Sequence, residues 1–166
     1  MIESRSIAAG LNTQVARFRP HRGLTVVELA FALCIVAVML TIALPAYQQY
    51  RERVRIDQAK QDIMAMSAVI KNYYQDAQAY PDSLADVGLG GMLDPWGNPY
   101  GYLNLGDKKA HGHARKDHSL VPINTDFDLY SMGPDGRSSP PLTAKASRDD
   151  IVRANDGAFI GVAADY

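Results

Sequence analysis

A single cysteine, Cys34, is present in 166 residues, so no disulfide can form within the chain. Any loop that must be held in place needs another device, above all in an oxidising compartment. An excess of one charge is also missing, since 17 Lys+Arg stand against 18 Asp+Glu. That balance offers no broad basic surface for nucleic acid, whose binding rests on neutralising phosphates. Catalytic patterns are absent as well. There is no G-x-S-x-G, no H-E-x-x-H and no phosphate-binding loop, and the one thiol falls in an apolar run. Asp94, Asp126, Asp128 and Asp156 read as ordinary turn and strand-end acids without an evident partner. The chain reads as a non-enzyme.

What is present is an asymmetry. Residues 1–23 hold four Arg and one Glu, leaving 13 cations against 17 acids in the rest. Behind this basic head lie 18 uncharged residues, 29–46. A run of that length is a candidate for crossing a bilayer. Counted from Leu24 it grows to 23 residues with one charge, Glu28. Arg17, Arg19, His21 and Arg22 on its amino side predict a cytoplasmic head, with the body from Tyr47 onward across the membrane. A cleaved secretory signal is the competing reading. Its apolar core is normally shorter, and Leu44-Pro45-Ala46 matches its cleavage site poorly. Glu28 asks for a partner, because a charge in an apolar core is costly. Either it reaches the headgroups or it meets a positive charge on another chain.

The stretch Arg22-Gly23-Leu24-Thr25-Val26-Val27-Glu28, followed by the apolar run, resembles the leader junction of type IV pilins and pseudopilins. The resemblance implies cleavage after Gly23 by a prepilin peptidase and N-methylation of Leu24. It makes Glu28 the fifth mature residue, where that family carries a glutamate, and matches Pro45 to the family's helix-kinking proline. Two further blocks narrow it. Asp94-Pro95-Trp96-Gly97-Asn98-Pro99-Tyr100 resembles the DPWGNPY signature of major, G-type pseudopilins of type II secretion systems. Asp128-Leu129-Tyr130-Ser131-Met132-Gly133-Pro134-Asp135-Gly136, followed by Asp149-Asp150-Ile151, resembles the segments that come next in those proteins.

The periodicity beyond Pro45 predicts the architecture. Ile56, Ala59, Ile63, Met66, Ile70, Tyr73 and Ala77 recur at spacings of three and four, an amphipathic stripe. One helix over 24–78 is expected, about 80 Å long at 1.5 Å per residue, kinked at Pro45. Tyr80-Pro81-Asp82-Ser83 ends it. Strands are expected over 99–105, 127–132 and 158–162, forming a small antiparallel sheet over the helix. The fold class is α+β, with a leader at 1–23, a transmembrane or filament-core helix at 24–46 and a periplasmic globular domain at 47–166. Trp96 is expected to anchor the sheet by packing.

Asp135, Asp149 and Asp150 are the best metal candidates, since hard oxygen ligands without thiols favour calcium. The resemblance implies a calcium ion on these three carboxylates, pinning the loop between them. The alternative is a solvated acidic turn followed by an N-cap at Asp149-Asp150 before a short helix. His111, His113 and His118 sit among lysines and arginines and read as a surface loop. The functional expectation is a homopolymer: a structural pseudopilin of an inner-membrane secretion system, with minor pseudopilins and the membrane assembly platform as partners. A minor type IV pilin is one alternative. A soluble periplasmic binding protein or enzyme, released by signal peptidase to begin at Tyr47, is another.

Overall fold

The computed structural model describes residues 23–106 and 110–166. Apart from Gly23, the expected leader lies outside the described residues. The chain divides into two units, the second being Leu44–Tyr166.

In the first unit, helix α1 (Val26–Ala77) begins. Its start is fixed by a reciprocal cap. Thr25 N donates to Glu28 Oε2 at 2.8 Å, Thr25 Oγ1 donates to the same oxygen at 2.9 Å, and Glu28 N donates to Thr25 Oγ1 at 3.2 Å. This capping box satisfies two of the amides a helix start leaves unpaired. Downstream, residues through Ala43 are exposed and apolar almost all round. Thr41 is accommodated because its hydroxyl donates to Ala37 O at 2.8 Å. The helix is long and apolar enough to cross a membrane by length and composition. Pro45 lies inside α1, which continues beyond it.

In the second unit, α1 turns amphipathic. Ala59, Ile63, Met66, Ser67 and Ile70 are buried, as the stripe requires, whereas Tyr73 and Ala77 at its far end are exposed. The helix stops where Gln78 takes φ 54°, a left-handed conformation, with its amide donating to Tyr74 O at 2.8 Å.

Four strands form one antiparallel sheet in sequence order: β1 (Gly101–Asn104), β2 (Phe127–Ser131), β3 (Ile151–Ala154) and β4 (Phe159–Val162). The three expected strands correspond to β1, β2 and β4. The third, β3, was not expected, and the short helix after Asp149-Asp150 is replaced by it. The cause is Arg153, a charged residue in a four-residue strand that is buried throughout. Its Nη1 donates to Asp126 Oδ1 at 2.7 Å and to Phe127 O at 2.9 Å, and its guanidinium lies 4.0 Å from the Phe127 ring centroid. A cation so paired packs as an apolar residue would.

The sheet has two cores. Phe127, Leu129 and Ile151 face α1, meeting Ala59, Ile63, Met66 and Ile70. The opposite face carries Val152 and Ala154, covered by Ile123 and Leu142 from loops and by Ala163 from a short 3-10 helix. The expectation of a sheet laid over the helix accounts for the first core only.

Candidate functional site

At the start of α1, Gly23 and Leu24 precede the helix and are exposed. A β-carbon added at Gly23 would have nothing within 4 Å. Glu28 is exposed and turned onto Thr25, its carboxylate serving its own helix end.

In the globular unit the sequence blocks converge. Asp94 Oδ1 accepts from Trp96 N at 3.0 Å and Asn98 N at 2.8 Å, closing the turn in which Gly97 has φ 95°. Asp94 Oδ2 accepts from Ser131 Oγ at 2.6 Å, and Ser131 Oγ in turn accepts from Gly133 N at 3.1 Å. Asn98 Nδ2 donates to Gly133 O at 3.0 Å. Gly133 itself has φ 65°, and a β-carbon there would stand 2.4 Å from the Asp149 carbonyl oxygen. Residues 94, 98, 131, 133 and 149 are therefore one hydrogen-bonded and closely packed knot.

The same block ties α1 to the sheet. Trp96 Nε1 donates to Glu52 Oε1 at 3.0 Å, so Trp96 is a packing anchor with a polar tether. Tyr100 OH donates to Asp62 Oδ2 at 2.8 Å. Burial pushes the Tyr100 phenol far above its ordinary range, and the bond to Asp62 adds to the shift.

The three candidate metal ligands have different surroundings. Asp135 is exposed, and its Oδ1 accepts from Arg137 N at 2.8 Å within its own turn. Asp149 is half-buried and contributes its backbone to the knot. Asp150 is fully buried. Its Oδ2 accepts from Arg115 Nη2 at 2.5 Å and from Ser138 Oγ at 2.7 Å. Burial raises the Asp150 carboxyl against the opposing pull of Ser138 and Arg115. Among the described residues, no three His, Cys, Asp or Glu side chains converge as a metal cluster. A calcium ion requires six to eight oxygens free to turn inward. Here one carboxylate is held by a guanidinium and another by its own turn, so the residues as placed do not fit that ion.

No protein-family model matches the chain, and no solved structure matches it. Curated relatives do. It is 27% identical over 142 residues to the type II secretion system core protein G of Pseudomonas aeruginosa, covering 72% of this chain and 87% of that protein. It is 24% identical over 143 residues to the protein of the same name from Vibrio cholerae, covering 73% and 86%. Similarity to the type IV major pilin PilA of Myxococcus xanthus is 29% over 90 residues, covering 54% of this chain and 40% of PilA. Over about seven-tenths of its length the chain is thus similar to G-type pseudopilins.

Sequence reasoning missed the partners of three acids, Asp126, Asp128 and Asp156. Asp128 is buried and accepts from Arg115 N at 2.6 Å and Asn124 Nδ2 at 2.9 Å. Burial raises its carboxyl, and these bonds oppose the rise. Asp126 holds Arg153. Asp156 accepts from Thr125 N at 2.7 Å and Thr125 Oγ1 at 2.8 Å. Partial burial pushes its carboxyl up, but Thr125, Asp126 and the Arg153 charge together leave it below the ordinary carboxylate range. Except for Asn124 and Asp128, four residues apart, these pairings join residues distant in sequence, and no local pattern marks them. The histidines do not gather: His111 Nε2 lies 2.9 Å from Leu105 O, and His111, His113 and His118 are all exposed.

Proposed function

We propose that this chain is a structural subunit of a type II secretion pseudopilus. The observation that carries the reading is the extent of the likeness. Matches to core protein G reach over about seven-tenths of this chain and more than four-fifths of the two core G proteins named above, far beyond the 52 residues of α1. The apolar exposed stretch of α1 supports a membrane-anchored subunit.

In this account the basic head stays on the cytoplasmic side of the inner membrane. A prepilin peptidase cuts after Gly23, and the new amine at Leu24 is methylated. The amine of one subunit then meets Glu28 of its neighbour in the low dielectric of packed apolar helices, which fixes axial register. The globular unit, rigidified by the knot around Gly133, forms the outer layer. Its partners are copies of itself, minor pseudopilins and the membrane assembly platform, and its role is mechanical rather than catalytic.

Pilin relatives such as PilA give a second reading, a type IV pilin for adhesion, motility or DNA uptake. Deleting the gene and restoring it on a plasmid separates the two. The secretion reading predicts that proteins normally found in the medium accumulate inside the deletion strain, that the plasmid reverses this, and that surface pili persist. Normal export together with lost pili would overturn it.

A further inference from the structure

We infer that Arg115 is a built-in cation that clamps the loop over 137–148, and that this pseudopilin needs no metal ion there. The guanidinium is buried with Arg115, which is 3% exposed. It lies against Asp150 Oδ2 at 2.5 Å, donates through Nη1 to Ser138 Oγ, and stacks 4.3 Å from the centroid of Tyr130. Ser138 closes the triangle by donating to Asp150 Oδ2 at 2.7 Å. One side chain thus joins the beginning of the loop, the residue that leads into β3 and an aromatic of β2. A divalent ion on Asp150 Oδ2 would have to displace it.

The backbone on either side makes the same connection. Lys116 N donates to Pro140 O at 2.9 Å, and Leu142 N donates to Lys116 O at 2.8 Å, zipping residue 116 onto the middle of the loop. Ile123 N donates to Arg115 O at 2.9 Å. Arg115 N, through Asp128 Oδ2, fastens the segment to β2. The polar stretch that reads as a surface loop is therefore the element that delivers the charge. Tyr130 presents its ring there because it sits across from Gly101 in the β1–β2 register, where a β-carbon would stand 2.3 Å from the ring. Asp150 Oδ1 and Arg115 Nε are buried without a hydrogen-bond partner among the described residues. Removing either partner strands still more buried polarity.

The clamp is intramolecular and independent of the filament reading. It is tested on the full-length chain in detergent by thermal unfolding. Tm is expected to be the same, to about 1 °C, with millimolar calcium and with a chelator, since a ligand stabilises only what it binds. Arg115→Met is expected to lower Tm by about 10 °C or more, as loss of one partner of a buried pair does in a domain of this size. Adding Asp150→Asn to it should restore much of the loss by removing the stranded charge. A Tm that falls on chelation and returns with calcium would overturn the clamp. So would an Arg115→Met chain as stable as wild type, or a double variant no more stable than Arg115→Met. The calcium comparison on wild type decides the question even where Arg115→Met fails to fold.

Discussion

Alanine in place of Glu28 is expected to leave a chain that inserts in the membrane and folds, but enters filaments about a hundredfold less well. Two roles of one carboxylate are in competition here. Within the chain, Glu28 completes the capping box with Thr25. In the proposed filament, it pairs with an amine that only cleavage after Gly23 exposes. Removing the cap weakens one helix end, a modest effect that is local to the single chain. Removing the acid from a packed apolar helix core leaves the neighbour's amine charged and unpaired, the costly case for a buried ion pair. Fractionation of sheared filaments against membranes measures the ratio. Glu28→Gln separates the roles, because an amide oxygen still accepts from Thr25 but carries no charge. If Gln assembles as wild type does, capping is the whole role of Glu28 and the intersubunit pair is refuted.

Gly133→Ala is expected to destabilise the globular unit by about 3 kcal/mol or more, enough to make it protease-sensitive. Two costs add. The residue has φ 65°, which costs a residue with a β-carbon about 1–2 kcal/mol. The new carbon would also press on the Asp149 carbonyl at 2.4 Å, and backbone cannot step aside as a flexible side chain can. Giving way would break the bonds that Gly133 N and O make to Ser131 and Asn98. Gly88→Ala is the matched control. Its φ is 75°, but nothing lies within 4 Å of its β-carbon position, so it meets the conformational cost alone. Urea unfolding of both variants isolates the close approach as their difference. Equal losses would mean that the contact between Gly133 and Asp149 contributes nothing.

The parts legible in sequence were those whose signal is local. Helix α1 reads directly because its two stretches carry unmixed patterns, apolar all round before Pro45 and one-sided after it. Strands β1, β2 and β4 read from aliphatic and aromatic content between turn residues. The convergence of Asp94, Asn98, Ser131, Gly133 and Asp149 was foreshadowed only as blocks in order; their contact is a property of the fold. Strand β3 stayed hidden because Arg153 makes a buried strand look like the polar start of a helix, and its partner Asp126 lies 27 residues away. Arg115 stayed hidden for a related reason. It stands beside Lys116 in a polar stretch, and nothing near it in sequence says that this cation is buried. Long-range charge pairing leaves no periodicity to read.

The identity of the first residue of the chain extracted from membranes tests the account most directly. Amino-terminal sequencing with intact mass is predicted to give Leu24 bearing one methyl group, so that a cationic amine stands four residues before Glu28. A chain that still carries its arginine-rich head, or one that begins at Tyr47, has no such amine at that place and contradicts the account.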